Sequence, residues 1–423
     1  MVHRTIVGGR YMPIYKISRE YYANLCAHQR DEMLSEFDVD KNGDILIPYE
    51  HKGYTCNDLA TESLNGVKAV SMFSGAGGLD IGTQLAGVPV MTSLDIFEDS
   101  VKTIQQNAFF KNTMHECGDI TKIDGMHYSE VLKRENPDKL IIVGGPPCQP
   151  FSKAGYWVTN EKRNSSEDPR NMIKPYFKII SEIQPNGFVL ENVESIMHPS
   201  NHEAVETIYE NMDRLGYKCS VLKINAAEYG IPQKRKRVFF LASKKEINAT
   251  LKQTHGSEKE CAANPELLPY ERVIDWIGKF DDPVYFGDEK LEAEGKWEHE
   301  LTCVPFGKNY IALTERAGYP DPVFVAGKRY WLSLLKLHPF QPSWTVIASP
   351  GHWEGPFHWK SRRLSIRELA AIQTFPDDYQ FYGSVYSQHK QIGNAVPPLL
   401  GYALGKALIS IIEGDNSEKA SLD

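Results

Sequence analysis

The sequence predicts an α/β protein with a largely parallel sheet, followed by a smaller, loop-rich domain. Between residues 68 and 240, short apolar runs with strand spacing alternate with segments of helical spacing. From about 244 to 341 this alternation breaks up into stretches rich in Gly, Pro and aromatic residues. Helical spacing returns in 365–374 and 398–412. Alternating strands and helices are typical of a sheet covered by helices on its faces.

The composition is that of an ordinary globular protein. The 423 residues are 41% hydrophobic and 24% charged, which argues against a disordered chain, a collagen-like fibre and a disulfide-stapled miniprotein. At a soft ~150 residues per domain, this length predicts two or three domains. The formal net charge is -8, so any positive surface for nucleic acid must be local.

Neither a membrane segment nor a cysteine framework is expected. The longest apolar stretch, 399–412, is interrupted by Gly401, Gly405 and Lys406 and falls short of the roughly 18 to 20 residues that a membrane span needs. The N-terminus has no apolar signal segment. The seven cysteines form no CxxC pair, which indicates a reducing compartment rather than a zinc ribbon or a disulfide network.

Residues 1–65 differ from the rest of the chain. A polar helix is predicted over 18–37, with Ser18 as its cap. The following Asp-rich segment resembles the start of a calcium loop, but its twelfth position holds Tyr49 where a bidentate Glu is needed. A β-hairpin turning at Asn42-Gly43 is favoured. This extension could bind a partner, contact nucleic acid or simply pack, and we favour packing.

The strands and one helix of the α/β region follow from the pattern of apolar residues. The helix covers 172–183, where apolar side chains recur on one face. The predicted strands are 68–73, 88–94, 139–143, 187–190, 218–224 and 237–242.

The first strand runs into a glycine-rich turn that suits a nucleoside ligand. Glycines let a ligand approach the backbone closely, and the turn contains Gly75 and Gly77. Asp95 lies twenty positions after Gly75, at the end of the next strand, where an acidic side chain can bind ribose hydroxyls. The GxGxxG pattern is absent, which favours a cofactor without a pyrophosphate. A plain strand–helix turn is the alternative.

A second acidic residue, Asp119, follows a further strand that is expected between the strands 88–94 and 139–143. Asp119 could accept a hydrogen bond from an adenine amine. Taken alone, it would more often cap a helix.

The segment Gly144-Gly145-Pro146-Pro147-Cys148 carries the strongest signal for chemistry. The cysteine directly follows a double proline at the carboxyl end of a strand, where ligands bind in α/β sheets. An ordinary free cysteine is a small buried hydrophobic residue and would lie within a strand or on a helix face. The position therefore favours a nucleophilic Cys148.

Together these motifs resemble the cytosine-C5 DNA methyltransferase family. Four further matches occur in the family's order: Glu191-Asn192-Val193, Gln233-Lys234-Arg235-Lys236-Arg237, the segments 362–368 and 373–377, and Gln391-Ile392-Gly393-Asn394. The resemblance covers roughly 68–414, apart from the variable second domain. It departs from the family after Asp95, where Ile96-Phe97 stand in place of a bulky residue followed by Asp.

The resemblance implies the roles of individual residues. Cys148 is the nucleophile that adds to C6 of a flipped-out cytosine. Glu191 contacts N3 and the exocyclic amine, Arg237 points at O2, and Arg235 supports the nucleophile; period-two spacing would put both arginines on one side of a strand. The residues implied to bind S-adenosyl-L-methionine are Phe73, Ser74, Gly75, Gly77, Asp95, Ile96, Asp119, Pro147, Asn394 and Val396. No metal is implied.

The resemblance also implies a division of the chain. A Rossmann-like S-adenosylmethionine-dependent methyltransferase domain would comprise 66–245 and, returning to it, the motif and C-terminal helix in 342–423. A target-recognition domain would comprise 246–341. The segment 153–170 is expected to be a mobile loop that closes over DNA. Side chains that could reach bases or phosphates are Lys308, Asn309, Tyr310, Lys328, Arg329, Tyr330 and Trp331, although an ordinary packing role is favoured for any one of them.

The implied activity is methylation of cytosine C5 in a specific double-stranded DNA sequence. The expected setting is a prokaryotic restriction–modification system, with a monomeric enzyme in the cytoplasm at the nucleoid and a cognate restriction endonuclease encoded alongside; a solitary relative without such a nuclease is the alternative. Two rival functions are a tRNA cytosine methyltransferase and a non-catalytic nucleic-acid-binding protein on the same fold. The second is disfavoured because Cys148, Glu191, Arg235 and Arg237 are all present.

Overall fold

The computed structural model describes residues 4–7, 10–59, 66–147, 171–245, 249–327 and 330–413. Their strands, in chain order, are β1 Arg4–Val7, β2 Arg10–Ile17, β3 Ile45–Pro48, β4 Val67–Met72, β5 Val90–Asp95, β6 Met114–Cys117, β7 Lys139–Gly144, β8 Gly187–Val193, β9 Lys218–Asn225, β10 Gln233–Lys234, β11 Lys236–Ser243, β12 His255–Gly256, β13 Leu268–Pro269 and β14 Ser343–Trp344. Their α-helices are α1 Arg19–Tyr22, α2 Ala27–Leu34, α3 Gly78–Leu85, α4 Glu98–Gln106, α5 Ser129–Glu135, α6 Ile173–Ile183, α7 His202–Leu215, α8 Glu258–Ala263, α9 Val273–Ile277, α10 Glu298–Cys303, α11 Ile366–Ile372, α12 Val385–Asn394 and α13 Pro398–Glu413.

These elements form two compact units. Unit 1 comprises residues 1–54, 231–234 and 270–377, and unit 2 comprises 55–230, 235–269 and 378–423. The chain therefore enters and leaves each unit more than once.

Unit 2 contains a seven-stranded sheet in the order β6-β5-β4-β7-β8-β11-β9. The first five of these strands are parallel, and β11 runs antiparallel to both β8 and β9. The predicted α/β fold with a largely parallel sheet is confirmed. The strand order changes direction between β4 and β7, and in such sheets ligands bind outside the carboxyl ends of the strands at this point.

Helices cover the sheet because its strands are apolar on both faces. Every residue of β5 is buried, as expected for a parallel strand with helices above and below it. Helix α6 buries Ile173, Tyr176, Phe177 and Ile180 in the core that also includes Val70, Ile142 and Phe188.

The C-terminal apolar stretch is a core element of unit 2. By length and composition alone, Val385–Glu413 could cross a membrane, but 67% of its most apolar window is buried. It comprises two helices, α12 and α13, and α13 packs against α3. A Cβ added to Gly82 of α3 would lie 2.4 Å from the carbonyl carbon of Gly401 in α13, so the two backbones meet directly.

Unit 1 combines the N-terminal residues with the loop-rich region. Strands β1, β2 and β3 form a small antiparallel sheet, and the chain turns at Asn42-Gly43 before β3. Phe37 contacts the rings of Phe306 and Phe340 at centroid distances of 5.8 and 5.0 Å. The N-terminal segment therefore shares a core with residues more than 260 positions later in the sequence.

The prediction of one helix over 18–37 is wrong. Two helices, α1 and α2, occupy this stretch, and the Ser18 side chain makes no capping hydrogen bond. Without that cap, and with Asn24 in the middle of the stretch, a continuous helix is not favoured.

Candidate functional site

The glycine-rich turn after β4 adopts a strained backbone that leaves space beside it. Phe73 has φ +56°, an unusual value for a residue with a side chain, and Gly75 and Gly77 have φ +52° and +78°. A Cβ added to Gly75 would have no neighbour within 4 Å. The Ser74 hydroxyl is buried and has no hydrogen-bond partner among the described residues. Backbone strain and an unpaired buried hydroxyl together indicate a binding site rather than a plain turn.

Asp95 anchors this turn to the end of β5. Its Oδ2 accepts a hydrogen bond from the Gly75 amide at 2.8 Å, and its Oδ1 accepts one from the Phe97 amide at 2.8 Å. Burial raises the pKa of the Asp95 carboxyl, and the hydrogen bonds from backbone amides oppose that shift. Each carboxylate oxygen keeps a lone pair for a ligand. Ile96 beside it is exposed.

Asp119 caps a short turn, which is the alternative that the sequence left open. Its Oδ1 accepts hydrogen bonds from the backbone amide and the hydroxyl of Thr121, at 2.9 and 2.7 Å. These bonds hold the pKa of Asp119 below its usual value. The nearest cation to Oδ2 is Lys122, whose Nζ lies 3.9 Å away.

The loop after β7 lies beside a carboxyl group from β8. A Cβ added to Gly145 would lie 2.9 Å from Oε2 of Glu191, so a larger residue here would have to displace this carboxyl. The Asn192 side-chain amide approaches the Pro146 carbonyl at 3.5 Å, and Pro147 is exposed. Cys148 and the loop 153–170 lie outside the described residues.

Glu191 and Arg237 form an ion pair across neighbouring strands. Arg237 Nε lies 2.9 Å from Glu191 Oε1, and both side chains are about 15% exposed (15% and 14%). Because β8 and β11 are antiparallel with Glu191 opposite Phe239, Arg237 is the diagonal neighbour of the carboxyl. The carboxyl is thus held between the guanidinium and the loop that leads to Cys148.

Arg235 does not share a strand with Arg237. The chain is irregular at Arg235 and β11 begins at Lys236, so period-two spacing does not apply to the pair, and that prediction is wrong. Arg235 is buried, and its Nη2 donates to the Gly393 carbonyl at 2.9 Å. A sequence pattern cannot reveal this break, because it depends on residues 231–234 pairing with β14 in unit 1.

The last motif lies in unit 2 with the glycine-rich turn. Asn394 ends α12 with its side chain exposed, and Val396 is buried in the link to α13. Because α13 packs against α3, which starts at the glycine-rich turn, the predicted return of the C-terminal helix is present.

The predicted recognition residues differ in exposure. Asn309 and Tyr310 are buried and hold a nearby loop, and Lys308 pairs with Glu32 at 3.6 Å. Tyr330 and Trp331 are exposed, whereas Lys328 and Arg329 lie outside the described residues.

A buried charge cluster in unit 1 was not predicted from the sequence. Ligand atoms of Asp281, His358 and Glu368 lie within 4.8 Å of one another. Arg362 binds both oxygens of Glu368, at 2.7 and 2.8 Å, and Oδ1 of Asp281 at 2.6 Å. Lys360 also pairs with Asp281, so two cations face these two carboxylates and the cluster is a salt-bridge network rather than a cation site.

Comparison of sequences identifies one family. A family model described as C-5 cytosine-specific DNA methylase matches residues 67–410. The chain is 32% identical to "Type II methyltransferase M.SacI" of Streptomyces achromogenes, over 80% of this chain and 92% of that protein. It is 31% identical to "Type II methyltransferase M1.HphI" of Haemophilus parahaemolyticus, over 81% of this chain and 86% of that protein.

Solved structures share the fold. One is a putative DNA modification methyltransferase encoded within an E. coli prophage, with TM-score 0.55, 22% identity and coverage of 82% of this chain and 99% of that chain. Another is a Spodoptera frugiperda DNMT2 variant, with TM-score 0.52, 16% identity and coverage of 81% and 99%.

Proposed function

Because the chain belongs to the C-5 cytosine-specific DNA methylases, we propose that it transfers a methyl group from S-adenosylmethionine to C5 of cytosine in a specific double-stranded DNA sequence. The observation that carries this proposal is the Glu191–Arg237 pair beside the loop that leads into Cys148. Both lie in unit 2, as does the glycine-rich turn.

The residues around the glycine-rich turn fit S-adenosylmethionine. The open space at Gly75 and the unpaired Ser74 hydroxyl suit the methionine part of this ligand, close to Phe73 and Gly77. Asp95 would take the ribose hydroxyls with its remaining lone pairs, and Ile96 offers an exposed apolar surface to adenine. The further proposed contacts are Asp119 Oδ2, Pro147, Asn394 and Val396. Bound there, S-adenosylmethionine supplies an electrophilic sulfonium methyl group.

Cys148 makes the poorly nucleophilic C5 of cytosine reactive. Its thiolate forms a bond to C6, and the electron pair of the C5–C6 double bond becomes available at C5 to take the methyl group. Loss of the C5 proton then returns an electron pair to the ring and expels the thiolate. One difficult substitution is thereby divided into two easier steps.

Glu191 and Arg237 would hold the cytosine and stabilise the charge that develops on it. As the base enters, Glu191 would take up a proton from water and donate it to N3 while electron density moves there, and Arg237 would donate to O2. The ion pair keeps both side chains in place before the substrate arrives. Arg235 is buried and donates to the Gly393 carbonyl, and it would support the nucleophile.

The target base has to leave the helix for this chemistry. C5 and C6 cannot be reached from within a stacked duplex, so the cytosine is expected to flip into the site. We further propose that the protein protects host DNA as a cytoplasmic, nucleoid-associated monomer, together with a restriction endonuclease encoded alongside. The names of the type II methyltransferase relatives support this setting.

Transfer of tritiated methyl groups tests the proposal. The purified protein is incubated with methyl-labelled S-adenosylmethionine and either unmodified bacterial DNA or bulk tRNA. Label in DNA, with bisulfite sequencing that finds 5-methylcytosine in one recurring sequence, is expected. Label confined to tRNA would favour the RNA-modifying rival, and no label in either would contradict methyl transfer to nucleic acid.

A further inference from the structure

A stack of one lysine and two tryptophans stands out on unit 1. Strands β10 and β14 pair in parallel, with Lys234 opposite Trp344. The Lys234 ammonium lies 5.2 Å from the centre of the Trp344 ring, and the Trp331 ring meets Trp344 edge to face at 5.4 Å. We call this set, Lys234, Trp344 and Trp331, the lysine–tryptophan ladder.

Lys234 keeps its positive charge without an ion pair in the part of the chain that the structure describes. Among the residues that the structure describes, no carboxylate lies within ion-pair distance of it. Two other lysines of unit 1 do form ion pairs, Lys16 with Asp44 and Lys52 with Glu271. A ring face attracts the ammonium and orients it while its N–H groups remain available to an acceptor such as a phosphate.

Trp331 ends the ladder as a large apolar side chain in contact with water. It is 48% exposed, and Tyr330 beside it is 66% exposed. The backbone of Trp331 is held by a buried side chain, because Asn309 donates to the Trp331 carbonyl at 2.8 Å. An aromatic residue whose backbone is anchored in this way loses less entropy when it binds a partner.

The chemistry of the ladder matches a nucleic acid. A cation over the half-buried Trp344 ring, next to the exposed Trp331 ring, suits phosphates alternating with flat bases and sugars. The chain itself supports this partner, because Lys234 is bonded to Arg235 and stands three residues before Arg237, the residue that pairs with Glu191. Because the net charge is -8, a lysine without an ion pair is a stronger indication of an anionic partner here than it would be on a basic protein.

Building on the proposed function, we propose that the lysine–tryptophan ladder is a DNA-contacting edge of unit 1. Lys234 binds a backbone phosphate, Trp344 orients the ammonium, and the Trp331 indole packs against the sugar or base edge next to that phosphate. Lys234 therefore contributes to affinity through displaced counterions, and Trp331 through contact area.

Salt dependence separates these two contributions. Binding of a short fluorescein-labelled duplex is followed by anisotropy from roughly 50 to 200 mM KCl, the range over which phosphate contacts lose affinity most visibly. For Lys234→Gln, the slope of log K against log salt should become shallower by about 0.9, the loss of one phosphate contact. Lys234→Arg should keep the slope. Trp331→Leu should weaken binding about tenfold at every salt concentration with the slope unchanged.

Lys16→Gln is the matched control. It removes the same charge from unit 1 at a lysine that is paired with Asp44, so its slope should equal that of the unaltered protein. Melting temperatures confirm that each variant is folded.

The possible outcomes distinguish the ladder from the enzyme's function. A folded Lys234→Gln protein with an unaltered slope, an equal change in Lys16→Gln, or unaltered affinity in Trp331→Leu would each overturn the ladder while leaving DNA methylation intact. An unaltered protein that binds no duplex at any salt concentration would instead overturn the proposed function.

Discussion

At the scale of single residues, the ion pair between Glu191 and Arg237 is the feature on which the proposed chemistry depends. The guanidinium Nε and the carboxyl Oε1 are 2.9 Å apart with little exposure, so water screens the pair weakly. Such a pair holds two hydrogen-bonding groups at a fixed separation. In the proposed function these two groups bind N3 and O2 of the pyrimidine ring.

Replacing the carboxyl tests this arrangement. We expect Glu191→Gln to lower kcat by about 100-fold or more, because an amide cannot supply an acidic proton to N3. KM for S-adenosylmethionine should stay close to that of the unaltered protein. Glu194→Gln, an exposed position on the same segment, is the control. Activity of Glu191→Gln within twofold of the control would contradict the assigned role.

A second residue-scale prediction concerns Asp80, which is fully buried behind the glycine-rich turn. Its Oδ1 accepts a 2.5 Å hydrogen bond from Ser71, and its Oδ2 has no partner among the described residues. Burial raises the pKa of Asp80 from 3.8 to about 7, although the Ser71 hydrogen bond opposes the shift. Proton binding to Asp80 therefore favours the folded state. Its stabilising contribution to the free energy of unfolding is fully present below pH 4 and is lost as pH rises towards and past 7.

Asp80→Asn removes that titration. The free energy of unfolding of the unaltered protein, measured relative to Asp80→Asn by urea denaturation, should therefore fall between pH 5 and pH 8. A difference between the two proteins that stays constant over this range would contradict the raised pKa.

At the scale of elements, the contact between α3 and α13 places the last motif beside the glycine-rich turn. The helices approach so closely that a Cβ on Gly82 would lie 2.4 Å from backbone atoms of Gly401 and Tyr402. Backbone atoms cannot rotate away as a side chain can, so the helices would have to separate.

Two glycine-to-alanine substitutions test how closely α3 and α13 pack. Gly82→Ala should lower the stability of the protein by about 1–3 kcal/mol, since overpacking outweighs the better helix propensity of alanine. Gly401→Ala should cost less, because its Cβ would meet the nearest atom at 3.3 Å. Thermal denaturation measures both, and the reverse order of stabilities would contradict the packing described for α3 and α13.

The sequence predicts elements best where they are local and apolar. The strands β4, β7 and β11 and the helices α6 and α13 follow from runs or faces of apolar residues, which need no knowledge of distant contacts. The irregular backbone at Arg235 could not be foreseen, because the flanking β10 pairs with β14 about a hundred residues later. The prediction of one helix over 18–37 was wrong because it relied on Ser18 as a cap. Serine is a suitable residue type, but its side chain makes no capping hydrogen bond here.

At the scale of the whole molecule, each of the two units is assembled from several separate segments, so their composition cannot be inferred from the order of segments along the chain. Residues 4–7 and 10–54 pack into unit 1 with 270–377, as the contacts of Phe37 illustrate. Likewise, Asp281, His358, Glu368 and Arg362 form one buried network although no spacing in the sequence links Asp281 to the others. The motifs that contain Cys148, Glu191 and the glycine-rich turn can be recognised in the sequence because each is a contiguous segment. The shared core of unit 1 and the Asp281 network cannot, because their residues are far apart in the sequence.

Cys148 is proposed to form a covalent bond to C6 of cytosine, and trapping that adduct is the sharpest test of this mechanism. DNA containing 5-fluorocytosine in the target sequence has no C5 proton to lose, so the enzyme should remain bound to it after methyl transfer. With S-adenosylmethionine present, a denaturing gel should show this adduct for the unaltered protein and for Cys117→Ala, which lacks an exposed thiol elsewhere in unit 2. Cys148→Ala should form none. An adduct that persists in folded Cys148→Ala, or that fails to form with the unaltered protein while it methylates ordinary DNA, would contradict the account.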